Sequence, residues 1–425
     1  MNEQRVEAAA FGSAPGAPLK RSLSLLQATL YGLGVTIGAG IYVLIGAAAA
    51  RAGMHAPIAF VLAAILMALT AASFAELAGR MPVAAGEAAY VRDAFQSDRL
   101  ALFVGILVIA VAVVSAAAIS VGSAGYISVF IPWPETMLIA VVVLAMGAIA
   151  GWGIKESVIF AGVMTVIEVG GLLLLILAGV ASGPELVTRL PEALPPVGNG
   201  AVMAGLMSTV MLAVFAFIGF ESLANIAEEV RDPQRTLPRA IFLTLSLSTL
   251  LYVLVVWVAL VAVPSEELAQ SKAPLALVFE RLTGASPRTM SLIAVVATLN
   301  GIIVQIIMAS RVLYGLARQG ELPGFFGAVH AATRTPLNAT AVTTALVLLF
   351  AVLLPLHHLA DLTSRITLVV FALVNLSLIR IKASAQPAPP GAYIAPAWMP
   401  WAALATCAGL LIVDVVLLAR AMLLG

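Results

Sequence analysis

Two short stretches, each inside a long apolar run, hold the residue types that could do chemistry. The first is Gly34-Val35-Thr36-Ile37-Gly38-Ala39-Gly40-Ile41, with three glycines. The second is Phe215-Ala216-Phe217-Ile218-Gly219-Phe220-Glu221, with one glycine and a carboxylate at a depth where charge is costly. Each glycine weakens a helix by roughly 1 kcal/mol. Where a helix breaks, one half exposes backbone N–H groups, which attract an anion such as a carboxylate. The other half exposes C=O groups, which attract an ammonium group or a cation. Two breaks facing each other would therefore suit a zwitterion. Each stretch also has a simpler reading. Gly34 and Gly38 fit the small-residue spacing that lets a neighbouring helix approach, and Glu221 fits a snorkelling or hydrogen-bonded carboxylate beside a helix end.

A further carboxylate, Glu168, lies in the apolar run Thr165-Val166-Ile167-Glu168-Val169-Gly170-Gly171. An ionisable group at membrane depth marks a functional site by default. It could take up and release a proton, hold a cation such as Na⁺, or bond to backbone freed by a break. Asn300 and Gln305 could line a pathway or bond to neighbouring helices. Ser115 and Ser120 read as packing residues. Glu76 is expected to pair with Arg80 or a nearby loop, and Glu228, Glu229, Arg231, Asp232 and Arg235 to form a charge network at the inner gate. The adjacent His357 and His358 are too few to make a metal site, and the single cysteine, Cys407, excludes an intramolecular disulfide.

The elements that must position these residues follow from composition. Of 425 residues, 62% are hydrophobic and only 10% charged, against roughly 25% charged in soluble domains. Net charge is +1. A soluble enzyme and a nucleic-acid binder are thereby disfavoured, and no catalytic motif or cofactor-binding loop stands in a usable context. A bilayer core needs about 20 apolar residues per helix. Eleven segments meet this approximately, at 24–49, 57–79, 100–127, 135–152, 156–181, 201–228, 239–263, 289–316, 337–356, 359–380 and 397–421. The expectation is an all-α integral membrane bundle, because lipid offers no partner to an open sheet edge. Fifteen Lys and Arg fall on the side of the N-terminus and seven on the other, which puts the N-terminus in the cytoplasm and the C-terminus outside. Met81–Phe95 reads as a short amphipathic segment, and Ser265–Arg288 as an outer loop with a surface helix near 274–282.

Paired breaks in the first and sixth spans point to two inverted halves, 24–181 and 201–380. Residues 1–23 would form a cytoplasmic tail, 381–396 a linker, and 397–425 an additional C-terminal helix.

Four stretches resemble the amino acid–polyamine–organocation (APC) permease superfamily. They are Val35 to Tyr42; Phe74-Ala75-Glu76-Leu77 through Pro82 to Gly86-Glu87-Ala88-Ala89-Tyr90; Phe217 to Glu221 with Ala227 to Pro238; and Ser310 to Pro323. The second departs from the family pattern, with Glu87 where a glycine is usual. The resemblance implies a five-plus-five inverted repeat of the LeuT/APC type, with broken first and sixth helices and alternating access. It implies that a substrate carboxylate meets N–H groups of Ala39 and Gly40 within the Thr36–Gly40 stretch (Thr36, Ile37, Gly38, Ala39, Gly40). The ammonium would meet carbonyls of Thr36, Phe215, Ala216 and Ile218, with Phe215 as an aromatic gate. In proton-coupled relatives a lysine resembles the occupant of position 168. The family usually has twelve helices against eleven here. The expectation is a secondary transporter in a bacterial-type inner membrane, coupling uptake of neutral amino acids to protons, with Na⁺ the second choice of ion. An amino acid or amine exchanger and a cationic amino acid or polyamine permease are the alternatives.

Overall fold

The computed structural model describes residues 21–82, 86–152, 158–196, 198–330, 333–384 and 386–424. The tail expected at 1–23 falls outside the described residues up to 20, as does Lys155. Long helices carry the fold: α1 (Leu25–Ala52), α2 (Ala56–Arg80), α3 (Asp98–Ile127), α4 (Glu135–Trp152), α5 (Val158–Ala181), α6 (Gly200–Phe217), α7 (Pro233–Ala262), α8 (Arg288–Arg318), α9 (Leu337–Leu353), α10 (Leu356–Ala383) and α11 (Met399–Leu424). Each expected segment coincides with one of these.

Helix starts follow local chemistry. Ser24 caps α1 in a reciprocal box with Gln27, whose side chain accepts from the Ser24 N–H at 3.0 Å. Ser97 caps α3 and Asn199 caps α6. The amphipathic segment appears as a short helix, Gly86–Phe95, and the loop after α7 carries two, Ser265–Gln270 and Pro274–Thr283. The last of these ends on Gly284 at φ +66°, a left-handed position that glycine takes without steric cost.

Among the described residues, nine stretches are long and apolar enough to cross a membrane. Eleven long helices are described against nine qualifying stretches. The stretch counted from Gly40 runs through α1 into α2 as far as Arg80, and α9 at Leu337–Leu353 is shorter than a qualifying span. At about 1.5 Å per residue, a helix of α9's length rises roughly 26 Å, slightly under the ~30 Å of hydrocarbon.

The two expected breaks differ. α6 stops at Phe217, Ile218 is extended, Gly219 has φ +136°, and a 3₁₀ segment runs from Phe220 to Ile226. α1 is one continuous α-helix of 28 residues, so the expected break in the first helix is not present. Its glycines serve close packing instead. A Cβ on Gly40 would fall 2.6 Å from the Ala216 Cα, so α6 presses against α1 there and supports the helix that glycine weakens. α10 runs to Ala383, past the expected start of the linker at 381.

The end of the bundle where α1 begins is termed proximal, and the opposite end distal. At the proximal end Glu76 is fully buried and bound on three sides: Arg80 at 2.8 Å, Lys382 at 2.7 Å and the Ala395 N–H at 2.8 Å. One carboxylate thus ties α2 to α10 and to the chain leading into α11. Removing a partner from a buried charge cluster costs about 3–5 kcal/mol. Glu76→Gln is therefore expected to lower stability by roughly 3 kcal/mol, read as a clear fall in the thermal unfolding midpoint in detergent. An unchanged midpoint would show that the cluster is dispensable.

Candidate functional site

The break in α6 is completed by two side chains. Glu221 Oε2 accepts the Gly219 N–H at 2.8 Å, so the carboxylate caps the break in its own chain, the hydrogen-bonded alternative of the two foreseen for it. Tyr252 of α7 points its hydroxyl at two carbonyls, Thr36 O at 2.8 Å and Ala216 O at 3.0 Å. Its single proton is shared between them, which joins α1 to the last turn of α6. Gly219 is required here. Besides its positive φ, a Cβ would lie 2.7 Å from the Thr36 backbone. Of the carbonyls expected to meet an ammonium group, Thr36 and Ala216 thus already accept from Tyr252, and Phe215 O accepts the Ile218 N–H at 3.2 Å. Each oxygen keeps a second lone pair.

Beside the break lies a central cavity of about 20 Å³, lined from α1, α3, α6 and its break, and α8. Gly34, Thr36, Gly40, Phe215, Ile218, Asn300 and Gln305 contribute, together with Ser115. Ser115 had been read as packing, and the structure corrects this, because α3 turns that face toward the break. Ser120 does pack, donating to Ala116 O at 2.7 Å. Ile37 is buried outside the lining, and Gly38 turns toward α5. Ala39 sits within the unbroken helix, so its N–H and that of Gly40 belong to helical backbone and form no anion site in this conformation. Thr36 Oγ1 and Gln305 Oε1 are buried without a hydrogen-bond partner. Both residues line a cavity with room for about one water.

Glu168 is fully buried on α5. Its Oε1 accepts from Asn300 Nδ2 at 3.2 Å, its Oε2 has no partner, and a Cβ on Gly38 would lie 3.7 Å from both oxygens. The carboxylate thus lies in ordinary packing contact with α1 at Gly38. The Glu168 main-chain carbonyl accepts from the Tyr42 hydroxyl at 2.6 Å. Asn300 therefore touches Glu168 and lines the central cavity. Glu168, Asn300 and Gln305, far apart in the chain, are brought together by the fold. Sequence alone misses Tyr252 and Tyr42, since a tyrosine in an apolar run carries no signal of the carbonyl it will reach.

The two ends are closed differently. At the proximal end, Ser22 and Leu23 donate to Glu229 O at 2.9 and 3.0 Å, and the Arg231 N–H returns to Leu23 O at 2.9 Å. Backbone bonds do this work more than the charges expected there, since Arg235 and Asp232 stand 3.9 Å apart and exposed. At the distal end, Arg51 makes a bidentate pair with Asp361, both contacts 2.8 Å, and its Nη1 also donates to Ser208 O at 3.1 Å. This ties α1 to α10 and α6. A distal vestibule of about 540 Å³ reaches in to Val43 and Gly122 and is rimmed by Arg51, Glu135, Lys272 and His357. The described residues contain no group of three or more His, Cys, Asp or Glu able to hold a metal ion.

Comparison with known proteins agrees with this architecture. A family model described as amino acid permease matches residues 23–421. The branched-chain amino acid permease BcaP of Bacillus subtilis (strain 168) is 30% identical over 89% of this chain and 84% of its own. The vacuolar cationic amino acid transporter 2 of Arabidopsis thaliana is 30% identical over 87% of this chain and 61% of its own. The methylthioribose transporter of Bacillus subtilis (strain 168) is 28% identical over 86% and 82%. The chain belongs to the amino acid permeases of the APC superfamily and is a multi-pass membrane transport protein, not an enzyme.

Proposed function

We propose that this permease takes up neutral amino acids by alternating access and couples each cycle to a proton carried by Glu168. The observation that carries this reading is the placement of Glu168. It is a buried carboxylate with one unpartnered oxygen, set against Gly38 of α1 and bonded to Asn300, which also lines the central cavity. With one oxygen unengaged, the carboxylate has a place to take up and release a proton. Protonation would then relax Asn300 and the α1–α5 contact, and substrate would enter beside them. Sodium at the same carboxylate is the second choice of ion.

The central cavity is lined by apolar side chains and by Thr36, Ser115, Asn300 and Gln305, with no charged side chain among the described residues. That supports a neutral substrate, in keeping with the printed name of the branched-chain relative. The Thr36–Gly40 and Phe215–Ile218 stretches remain the proposed binding region, its carboxylate contacts forming when α1 moves away from α6. Support for two inverted halves comes from packing, because α1 meets α6, α2 meets α7, α3 meets α8 and α4 meets α9, each helix against its counterpart five places on. We assign the proximal end to the cytoplasm of an inner membrane on the balance of Lys and Arg. On that assignment the inside is shut by the backbone bridge that the Ser22, Leu23, Glu229 and Arg231 bonds form between Leu23 and Val230, and the vestibule lies outside.

Two experiments test this. Proteoliposomes are given a labelled mixture of neutral and cationic amino acids, with and without an inward proton gradient, for the native protein and Glu168→Gln. Accumulation of neutral amino acids is expected only with the gradient, and the variant is expected to retain exchange alone. Uptake that ignores the gradient but needs preloaded amino acid would instead make the protein an exchanger. The second is Gly40→Ala, whose methyl must displace the Ala216 backbone. Overpacking of about 1–3 kcal/mol at the α1–α6 contact should cut uptake roughly tenfold, with the protein still folded by thermal unfolding. Normal uptake by this variant would remove the α1–α6 contact from the transport cycle.

A further inference from the structure

One more pair of buried carboxylates shares a cavity, about one helical turn from the central one on the proximal side. Glu221 follows Ile218, Met308 follows Gln305, and Val111 precedes Ser115. Glu87 comes from the short helix Gly86–Phe95 and Glu221 from the 3₁₀ segment. Ser222, Asn225 and Thr367 complete the polar lining of a space of about 20 Å³. Glu87 is 7% exposed and Glu221 8%. Thr367 Oγ1, on a residue 2% exposed, has no hydrogen-bond partner. This hydroxyl is an independent sign that a polar species belongs here.

The charges on the elements packed around the pair are engaged or exposed elsewhere. On the short helix, Arg92 is held by Asp98 at 3.0 Å and Glu321 at 2.9 Å, and Asp93 is outside the lining. Tyr90, next to Glu87 on that helix, is buried with an unpartnered hydroxyl. Arg80 and Lys382 are taken by Glu76, and Arg380 stacks on the Phe95 ring at 5.1 Å. Arg99, Arg235, Arg239 and Arg311 are exposed, and Glu228 and Glu229 lie beyond the 3₁₀ segment, outside the cavity. No cationic side chain among the described residues lines the space.

We propose that Glu87 and Glu221 form a second proton-binding site, in which the two carboxylates hold one proton between them on the proximal side of the substrate cavity. Like charges sharing a buried site cannot both ionise cheaply. One proton brings the pair to a single negative charge, which the Gly219 N–H at 2.8 Å from Glu221 partly balances. Burial pushes the Glu87 carboxyl from its ordinary 4.5 up to about 7, so the pair exchanges its proton with water near neutral pH. On release, the O–H bond of the protonated carboxyl breaks and the proton passes to water. The two negative charges left behind repel, and the short helix and the 3₁₀ segment are pushed apart. The proton thus favours a closed proximal end. Glu87 stands where the resembling family usually has glycine, so the site is built by this chain's own departure from the pattern. It does not depend on Glu168 carrying the coupling.

The test is pH-difference infrared spectroscopy of the purified protein in lipid, made in Glu168→Gln so that the carboxylate beside the central cavity is silent, while the buried Glu76 stays ion-paired with Arg80 and Lys382. A protonated-carboxyl band that disappears as pH rises through neutrality is expected. It is expected to be absent after adding either Glu87→Gln or Glu221→Gln, and to return, displaced, with Glu87→Asp. A band unchanged by both Gln variants overturns the proposal, as does a band lost on adding sodium at fixed pH, which would make the occupant a metal cation. Thermal unfolding gives a second readout. With its folded value raised, Glu87 binds more protons in the native state than in the unfolded one between 4.5 and about 7. Stability should therefore fall as pH rises through that window, and the fall should flatten in Glu87→Gln. An equally steep fall in the variant would also overturn the proposal.

Discussion

In hydrocarbon, a backbone group released from a helix must find a partner within the protein, at a cost of several kcal/mol if it does not. The break after Phe217 exists because Tyr252 and Glu221 meet that demand, the phenol on the carbonyls of Thr36 and Ala216 and the carboxylate on the Gly219 N–H. Both partners also hold α6 and its break in place, one against α1 and α7 and the other against itself. The central cavity, the position of Phe215 above it, and the second cavity below it all inherit their geometry from this repair.

Tyrosine hydroxyls extend the same logic toward the distal end. Tyr42 of α1 bonds to the Glu168 carbonyl, and Tyr126 of α3 bonds to the Tyr42 carbonyl at 2.6 Å. The Leu275 N–H, from the surface helix Pro274–Thr283, donates to the Tyr126 oxygen at 3.4 Å. A chain of three hydrogen bonds therefore runs from the helix beside the vestibule, through α3 and α1, to the segment of α5 that carries Glu168. It links the distal loop to the backbone that carries Glu168. The closures at the two ends differ in kind. A bidentate ion pair of partly exposed side chains opens by side-chain rotation, whereas the Leu23–Val230 bridge opens only by separating two backbone segments.

The continuity of α1 shows how a local penalty yields to packing. Its five glycines cost it roughly 1 kcal/mol each, yet the same absence of side chains admits Ala216 at Gly40 and the Leu268 carbonyl at Gly46. Contacts available only to glycine offset the loss. In α6 the balance reverses, because Gly219 adopts φ +136°, where another residue would be strained, and the chain turns.

Sequence alone settled what depends on composition and spacing. The apolar runs gave the helices and most of their ends, and Glu168, Asn300 and Gln305 stood out because polar groups at membrane depth are expensive. The family motifs located the α6 break to within a residue or two. Which helices touch was decided only in three dimensions. Tyr252 is an ordinary interfacial or packing residue until α7 lies across α1 and α6, and Ser115 lines the cavity only because of the way α3 is rotated. Glu87 and Glu221 are far apart in the chain, and their meeting depends on a short helix docking beneath the broken one. Periodicity records which face of a helix is apolar, but it carries no information about the neighbour that face will meet, and so the partners of each polar group had to come from the fold.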